Sequence, residues 1–272
     1  MKVTALIENT QGEPGCTSEH GLSLYVETEK HTLLMDTGKS GALIPNAKIL
    51  GVDLSKVEAV FLSHGHYDHT GGLLAFEQIN STAPVYMQSA GTGEFYDHDG
   101  DRTKYIGIDP EILELSNLDL IDGDSCFDDD IEVFTNVMGR RYMAKGNAIL
   151  KEKVHGEFRQ DAFRHEQYLV LSEGKKRVLF SGCAHAGIVN ILERFRDLYG
   201  DDPDFCISGF HMMQQAYTQQ DLANIRAVGK ELAALKTCFW TGHCTGERAY
   251  RELKKIMGNK LHYLHCGDTI IF

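Results

Sequence analysis

Four apolar runs in this sequence stop in the same way. "FLSHGHYDH" (61–69), "VLFSGCAH" (178–185), "FCISGFH" (205–211) and "CFWTGHC" (238–244) each read as a buried strand followed by Ser or Thr, then Gly or His, then a side chain that can ligate a metal. In α/β sheets, functional groups collect where strand C-termini open into a crevice. Four such ends, far apart in sequence, can therefore converge on one point. Six of the 13 histidines sit at them: His64, His66, His69, His185, His211 and His243. Chance packing does not account for that bias.

The first of these ends is the densest. His64, His66, Asp68 and His69 occupy six consecutive positions at the mouth of an apolar run. Desolvating four polar groups there costs several kcal/mol unless something satisfies them, and a metal ion would. His64 and His66 are two apart, so in an extended segment they face one side. Asp68 and His69 follow on the turn and can serve a second, adjacent position. One short motif thus implies a binuclear centre, whose ions typically lie about 3.5–4 Å apart. Nitrogen and carboxylate ligands suit zinc, with manganese or iron as alternatives.

The rest of the chain supplies strands and helices around these ends. "VTALIE", "LSLYVET" and "HTLLMD" alternate as strands of a meander that stops at Asp36-Thr37-Gly38. "SGALIPNAKILG" reads as a helix capped by Ser40, and Thr70 can cap a helix over "GGLLAFEQIN", with Gly71 and Gly72 letting its start approach whatever the histidines hold. "PVYMQ" is a further strand. The pattern then loosens to about residue 165, with strand candidates "LDLI" and "IEVFTNV". Beyond it, "QYLVLS", "RVLFS", "FCIS", "CFWT" and "TIIF" alternate with helices over "GIVNILERFRDLY", "DLANIRAVGKELAAL" and "GERAYRELKKIM". Such alternation predicts helices layered on sheet. No linker splits the chain, so residues 1–272 are expected to form a single α/β domain.

Composition narrows the partners. A net charge of −12 over 272 residues argues against a general nucleic-acid or membrane-surface binder. No apolar run approaches the roughly 18–20 residues of a membrane span, and "MKVTALIENT" lacks the features of a signal peptide. The seven cysteines are scattered without a Cys-x-x-Cys and read as reduced thiols of a cytoplasmic protein; Cys244 and Cys266 read as packing residues. One segment departs from the acidic balance. Residues 139–164 carry seven Lys/Arg against three Asp/Glu, a local excess of four positive charges. We expect a lid or insertion at about 139–165, with Arg140, Arg141 or Lys145 contacting an anionic substrate group, most simply a phosphate. "DGDSCFDDD" (122–130) lacks the Gly and distal Glu of an EF-hand loop and reads as an acidic turn.

"HGHYDH" resembles the His-x-His-x-Asp-His hallmark of the metallo-β-lactamase fold superfamily, with Asp36-Thr37-Gly38 and the Gly-His of "TGHCTG" at the matching places. The resemblance runs over nearly the whole chain and implies an αββα four-layer sandwich with metals at one edge. It makes His64 and His66 ligands of the first metal, and Asp68, His69 and His243 the rest of the set. It also gives Asp36 the task of orienting ligands. Many members place a bridging Asp after a strand such as "VLFSG"; here Cys183 stands there and is counted with the candidate metal ligands, and His185 is taken to complete the first site. No His-Thr-x-Gly segment precedes the motif, and His165 is only a weak substitute. "SHGHYDHTGG", "SGCAHAGIVNI", "SGFH" and "TGHCTGERA" together are similar to the branch of 7,8-dihydropterin-6-methyl-4-(β-D-ribofuranosyl)-aminobenzene-5′-phosphate synthases.

The implied activity is metal-dependent chemistry on a small phosphorylated substrate. Two divalent ions would activate a hydroxide, Asp68 would steer or accept a proton, and His211 would act as acid, substrate contact or ligand. Two other classes compete: a non-catalytic, metal-dependent sensor of small anions, and a di-iron redox protein, which would need a flavin domain for which the chain has no spare length.

Overall fold

The computed structural model describes residues 1–272, which divide into two compact units: Met1–Ser125 with Ile149–Gln167 and His265–Phe272, and Cys126–Ala148 with Tyr168–Leu264. In chain order come β1 (Lys2–Ile7), β2 (Ser23–Glu27), β3 (Thr32–Met35), α1 (Leu43–Ile49), β4 (Ala59–Phe61), α2 (Tyr67–Thr70), α3 (Leu73–Glu77), β5 (Val85–Gln88), β6 (Glu94–Asp99), β7 (Arg102–Tyr105) and β8 (Leu118–Ile121). There follow β9 (Ser125–Cys126), β10 (Ile131–Phe134), β11 (Leu150–Val154), β12 (Glu157–Gln160), β13 (Tyr168–Glu173), β14 (Lys176–Ser181), α4 (Ile188–Tyr199), β15 (Phe205–Ser208), α5 (Gln219–Ala234), β16 (Cys238–Thr241), α6 (Glu247–Met257), β17 (Leu261–Tyr263) and β18 (Thr269–Ile271).

The first unit is built on a sheet ordered β18-β1-β2-β3-β4-β5-β8. The strands are antiparallel up to β3 and parallel from β3 onward. β3 and β4 therefore end at the same edge, which brings the residues after Met35 beside those after Phe61. A register shift between Ala5 and Ile7 turns Leu6 and Ile7 into one core. There they meet Tyr25, Leu34, Val60 and Leu62 under Leu43 and Ala47 of α1 and Leu73 and Phe76 of α3. A fully buried side chain such as Phe76 contributes about 1.5–3 kcal/mol. A second, antiparallel sheet, β12-β11-β6-β7, closes on Phe95, Ile106, Leu150 and Phe163.

The second unit has one sheet, β17-β16-β15-β14-β13-β10-β9, parallel through β14, β15, β16 and β17. β13, β14 and β15 bury apolar side chains of both faces along most of their length. Val170, Leu179, Cys206 and Phe239 pack under Ile191 and Phe195 of α4, Ile225 and Leu232 of α5, and Leu253 of α6. α5 opens with a reciprocal cap: Thr218 Oγ1 accepts from the Asp221 N–H at 3.1 Å, and Asp221 Oδ2 accepts from the Thr218 N–H at 2.8 Å. The parallel run places the C-termini of β14, β15 and β16 at one edge.

Several local expectations change. α1 begins at Leu43 with Ala42 as its cap; Ser40 instead hydrogen-bonds Glu19 at 2.7 Å. Thr70 closes α2, and its hydroxyl donates to the His66 carbonyl at 3.1 Å. Gly71 and Gly72 face the backbone of Lys39 and Thr37, not the histidines; a Cβ at Gly72 would lie 2.1 Å from the Thr37 oxygen. The loosely patterned stretch contains the second sheet, whose short exposed strands carry little periodicity. Within the basic segment, residues 139–148 belong to the second unit, while β11 and β12 form a hairpin in the first. The acidic stretch is a turn, with Asp128 Oδ1 accepting from the N–H groups of Asp130 and Ile131. No helix is long and apolar enough to cross a membrane.

Candidate metal centre

In the first unit, β4 delivers the chain into Ser63-His64-Gly65-His66 and then the short α2, which carries Asp68 and His69. All four ligand-type side chains are buried. The His64 ring lies 4.6 Å from that of His66 and 4.1 Å from that of His69, centroid to centroid. Gly65 is required by close approach, since a Cβ there would sit 2.4 Å from the Gly91 carbonyl oxygen.

Asp36, fully buried at the end of β3, organises this cluster. Its carboxylate accepts from His69 Nδ1 at 2.6 Å, from the Ser63 N–H at 2.7 Å and from the Ser63 hydroxyl at 2.7 Å. A carboxylate only accepts, so His69 carries its proton on Nδ1. The Ser63 proton is spent on Asp36, so Ser63 Oγ must accept from His64 Nδ1, 2.9 Å away. Both rings then offer Nε2 as the lone pair for a ligand, the arrangement that metal-binding histidines use. Burial, with the His165 ring close by, pushes the His66 pKa down to about 3, so this imidazole is neutral at physiological pH. Asp68 Oδ2 meets His20 Nε2 at 3.2 Å.

His165 is engaged at both nitrogens. Nδ1 accepts from the Gly65 N–H at 3.1 Å, and Nε2 lies 3.0 Å from Asp161. It braces the His-Gly-His loop from behind. Burial alone would raise the Asp161 carboxyl; the His165 ring outweighs it and holds the group below its ordinary range.

The second unit carries its own set. Cys183 and His185 follow β14, His211 follows β15, and His243 and Cys244 follow β16. Cys183, His185, His243 and Cys244 are buried, while His211 is partly exposed. The Asn147 amide donates to the His185 carbonyl at 2.8 Å, which turns its oxygen toward His185 Nδ1 at 3.3 Å. His185 therefore also presents Nε2. His211 stacks at 4.2 Å from the His185 ring. It lines a cavity of about 60 Å³ with Met143, Lys145, Met212 and Asp221.

Of the three proposed anion contacts, only Lys145 reaches this cavity, with its ammonium 3.4 Å from Asp221. The Arg141 guanidinium is held by Glu193 and, at 2.6 Å, by Glu231. Arg140 donates to the carbonyls of Val137 and Gly139. Ser63, Asn147 and His20 escaped the sequence reading. Ser63 was visible as the repeated hydroxyl residue after a strand; a loop Asn and a loop His gave no signal. In the first unit, His69 and His64 with Nδ1 held by Asp36 and Ser63, a neutral His66 and the Asp68 carboxylate form a donor set suited to divalent transition ions.

The chain compares with known proteins as follows. The model of the Metallo-beta-lactamase superfamily matches residues 17–140, the stretch that contains Asp36 and the His-x-His-x-Asp-His segment. A 7,8-dihydropterin-6-methyl-4-(beta-D-ribofuranosyl)-aminobenzene-5'-phosphate synthase of Methanocaldococcus jannaschii is 28% identical over 292 residues, covering 100% of this chain and 97% of its own. An uncharacterized protein of the same organism is 27% identical, covering 98% and 99%. The crystal structure of a metal-dependent hydrolase of the beta-lactamase superfamily superposes with a TM-score of 0.84 at 28% identity, covering 100% and 99%. A metallo-beta-lactamase fold protein from Bacillus subtilis shares the fold at a TM-score of 0.55 and 17% identity, covering 99% of both chains. The mixed α/β architecture, the matched motif and these full-length likenesses agree: the chain has the metallo-beta-lactamase fold and is similar to that superfamily over its whole length.

Proposed function

We propose that this protein is a metal-dependent enzyme acting on a small phosphorylated substrate, with His64, His66, Asp68, His69, Cys183, His185 and His243 as the candidate ligands of two divalent ions, zinc before manganese or iron. The observation that carries it is the Asp36–Ser63 network, which commits two buried imidazoles to the ligating tautomer. Structural histidines need no such tuning. Bound divalent ions would supply a hydroxide at neutral pH and an electrophile for the developing negative charge.

The chain's own residues do the rest. Asp68, held at Oδ2 by His20, orients the attacking water and takes its proton. Lys145, on the cavity that His211 lines, offers an ammonium for the substrate's phosphate, with His211 beside it as proton donor or substrate contact. The phosphorylated class is supported by the relative named as a ribofuranosyl-aminobenzene-5'-phosphate synthase, whose reaction is the more specific form of this reading.

Metal content per chain, measured by mass spectrometry on protein purified without chelator, tests the proposal together with turnover assays. Two equivalents are expected, with His66→Ala and His243→Ala each losing metal and all activity toward phosphoesters or dihydropterin and phosphoribosyl substrates. Activity surviving in a metal-depleted His66→Ala variant overturns the reading, as does bound metal with no turnover on any of these substrates.

A further inference from the structure

In the first unit the two ends of the chain meet at a pair of thiols. Cys16 lies in the loop after β1, and Cys266 in the His265–Phe272 segment that carries β18. The two segments are in close backbone contact. The N–H groups of Gly12 and Glu13 both donate to the Cys266 carbonyl at 3.0 Å, and the Cys266 N–H donates to the Thr10 carbonyl at 2.9 Å. A Cβ at Gly12 would come within 2.8 Å of the Cys266 oxygen. Asn46, fully buried, fixes the side chains. Its oxygen accepts from the Thr17 N–H at 2.8 Å, and its amide donates to the carbonyls of Thr17 and Leu6 at 2.8 and 2.7 Å. Cys266 Sγ lies 3.5 and 3.3 Å from the same two oxygens. The sulfur is thereby held against the residue that follows Cys16, and the two thiols are hydrogen-bonded to each other. Thiols already in contact can join without refolding the chain around them. Neither cysteine is among the candidate metal ligands.

We propose that Cys16 and Cys266 are a reversible disulfide site, oxidised by low-molecular-weight disulfides, that fastens β18 to the loop after β1. Cys16 keeps 5% of its surface exposed and Cys266 none, so attack begins at Cys16. Its thiolate takes one sulfur of the small disulfide and releases the other half as a thiol, leaving a mixed disulfide. The Cys266 thiolate then attacks the Cys16 sulfur and releases the second half. One S–S bond replaces two S–H bonds in the protein, and the two electrons and two protons leave on the two small thiols. Burial raises both cysteines above their ordinary range, Cys266 to about 12, so the pair reacts slowly at neutral pH and stays reduced until the small disulfide accumulates. The bond closes nearly the whole chain into one loop, and long closures restrict the unfolded chain most. It also secures an edge strand of only three residues. The assignment stands whether or not the proposed activity does.

The test treats the full chain with glutathione disulfide at about pH 8.5, the ordinary cysteine pKa, alkylates the remaining thiols and maps the digest by mass spectrometry without reduction. The wild type should yield a Cys16 peptide joined to a Cys266 peptide, within one chain on a non-reducing gel, and dithiothreitol should separate them. The thermal midpoint should rise by about 4 °C or more on oxidation and return on reduction. Cys16→Ala and Cys266→Ala should each lose the joined peptide and the rise. Should either variant fail to fold, the wild-type map and melt decide alone. Glutathione retained on Cys16 with Cys266 still open to alkylation overturns the proposal. So does a joined peptide that links two chains or uses another cysteine, or a Cys16–Cys266 bond that leaves the midpoint where it was.

Discussion

Replacing Asp36 by Asn should change the protonation of two histidines without changing the shape of the site. Asn is the same size, and it tolerates the left-handed backbone that Asp36 adopts at φ 58°. Its oxygen can keep the Ser63 N–H. Its NH₂ group then faces the Ser63 hydroxyl and His69 Nδ1, where an acceptor stood before. The conflict is relieved only if His69 moves its proton to Nε2 and the Ser63 hydroxyl turns to donate to His64 Nδ1, which moves that ring's proton to Nε2 too. Both rings then point N–H at the ion. Loss of one supporting partner typically costs about 10–100-fold in metal affinity. With two rings affected, we expect a loss of at least about 100-fold, about 2.8 kcal/mol. Zn²⁺ competition against a chromophoric chelator near neutral pH measures this directly. Thermal melts of the metal-free proteins provide the contrast: Asp36→Ala strands three buried donors at about 1–3 kcal/mol each, while Asp36→Asn should melt far closer to wild type. If Asp36→Asn holds Zn²⁺ within about threefold of wild type, a difference under about 0.7 kcal/mol, the tautomer argument is wrong.

Other perturbations separate the remaining parts. Gly65→Ala should destabilise the fold by about 1–3 kcal/mol and lower metal affinity, because its Cβ meets the backbone oxygen of Gly91; Gly91→Ala meets only the flexible Met87 side chain and should cost less in the same thermal melt. Lys145→Ala should raise KM for a phosphorylated substrate, whereas Arg141→Ala, whose exposed guanidinium already serves two carboxylates, should leave KM alone and change stability little. A rise in KM for Arg141→Ala instead would move the anion contact to that residue. Asp161→Ala should cost about 1–3 kcal/mol by leaving the buried His165 Nε2–H without its acceptor. The Asp161 carboxyl is held below its ordinary 3.8 in the fold, so the unfolded chain takes up the proton first. Its stabilising contribution is complete above about 3.8 and fades as pH falls through the lowered value, which acid denaturation of wild type against Asp161→Ala would show.

The sequence carried the site's ligands more clearly than their supports. Histidines at strand ends are legible because burial forbids them without a reason, and β4, β14, β15 and β16 are apolar enough to locate. The parallel strands and the three long helices of the second unit follow from the same patterning. The supports are hidden because they act through direction, not composition. Asn147 matters because its amide is turned by one carbonyl, and nothing in "GNAIL" announces that. His165 could be read as a missing ligand until Gly65 and Asp161 are seen to occupy both of its nitrogens. The basic segment illustrates the same limit: its surplus charge is real, yet Arg141 spends its charge on Glu193 and Glu231.

The repeated hydroxyl residue after each strand has a physical role that the repetition alone does not reveal. Past the last ladder bond the chain must turn sharply to bring a side chain back over the sheet edge. Asp36, Ala184, His211 and His243 do so with φ between 47° and 58°, a region that disfavours L-residues by about 1–2 kcal/mol each. Such strain persists only where surrounding bonds over-determine it. Ser63 supplies those bonds beside Asp36. Beside His211 and His243 the clamp is Thr241, whose hydroxyl donates to the Ser208 carbonyl at 2.7 Å and lies 2.6 Å from Thr245 Oγ1, which in turn accepts from the Phe210 N–H at 2.8 Å. Ser181 is the exception, since its buried hydroxyl makes no hydrogen bond, and the strained Ala184 it precedes is steadied instead by the Gly187 N–H, which donates to the Ala184 carbonyl at 2.8 Å. Thr241→Val, which keeps the volume and removes the hydroxyl, should therefore loosen both His211 and His243, and would be read as weaker metal binding together with a loss of about 1–3 kcal/mol in stability. Ser181→Ala should cost nothing in either measurement; a loss there would mean that the hydroxyl acts through a bond to solvent or metal.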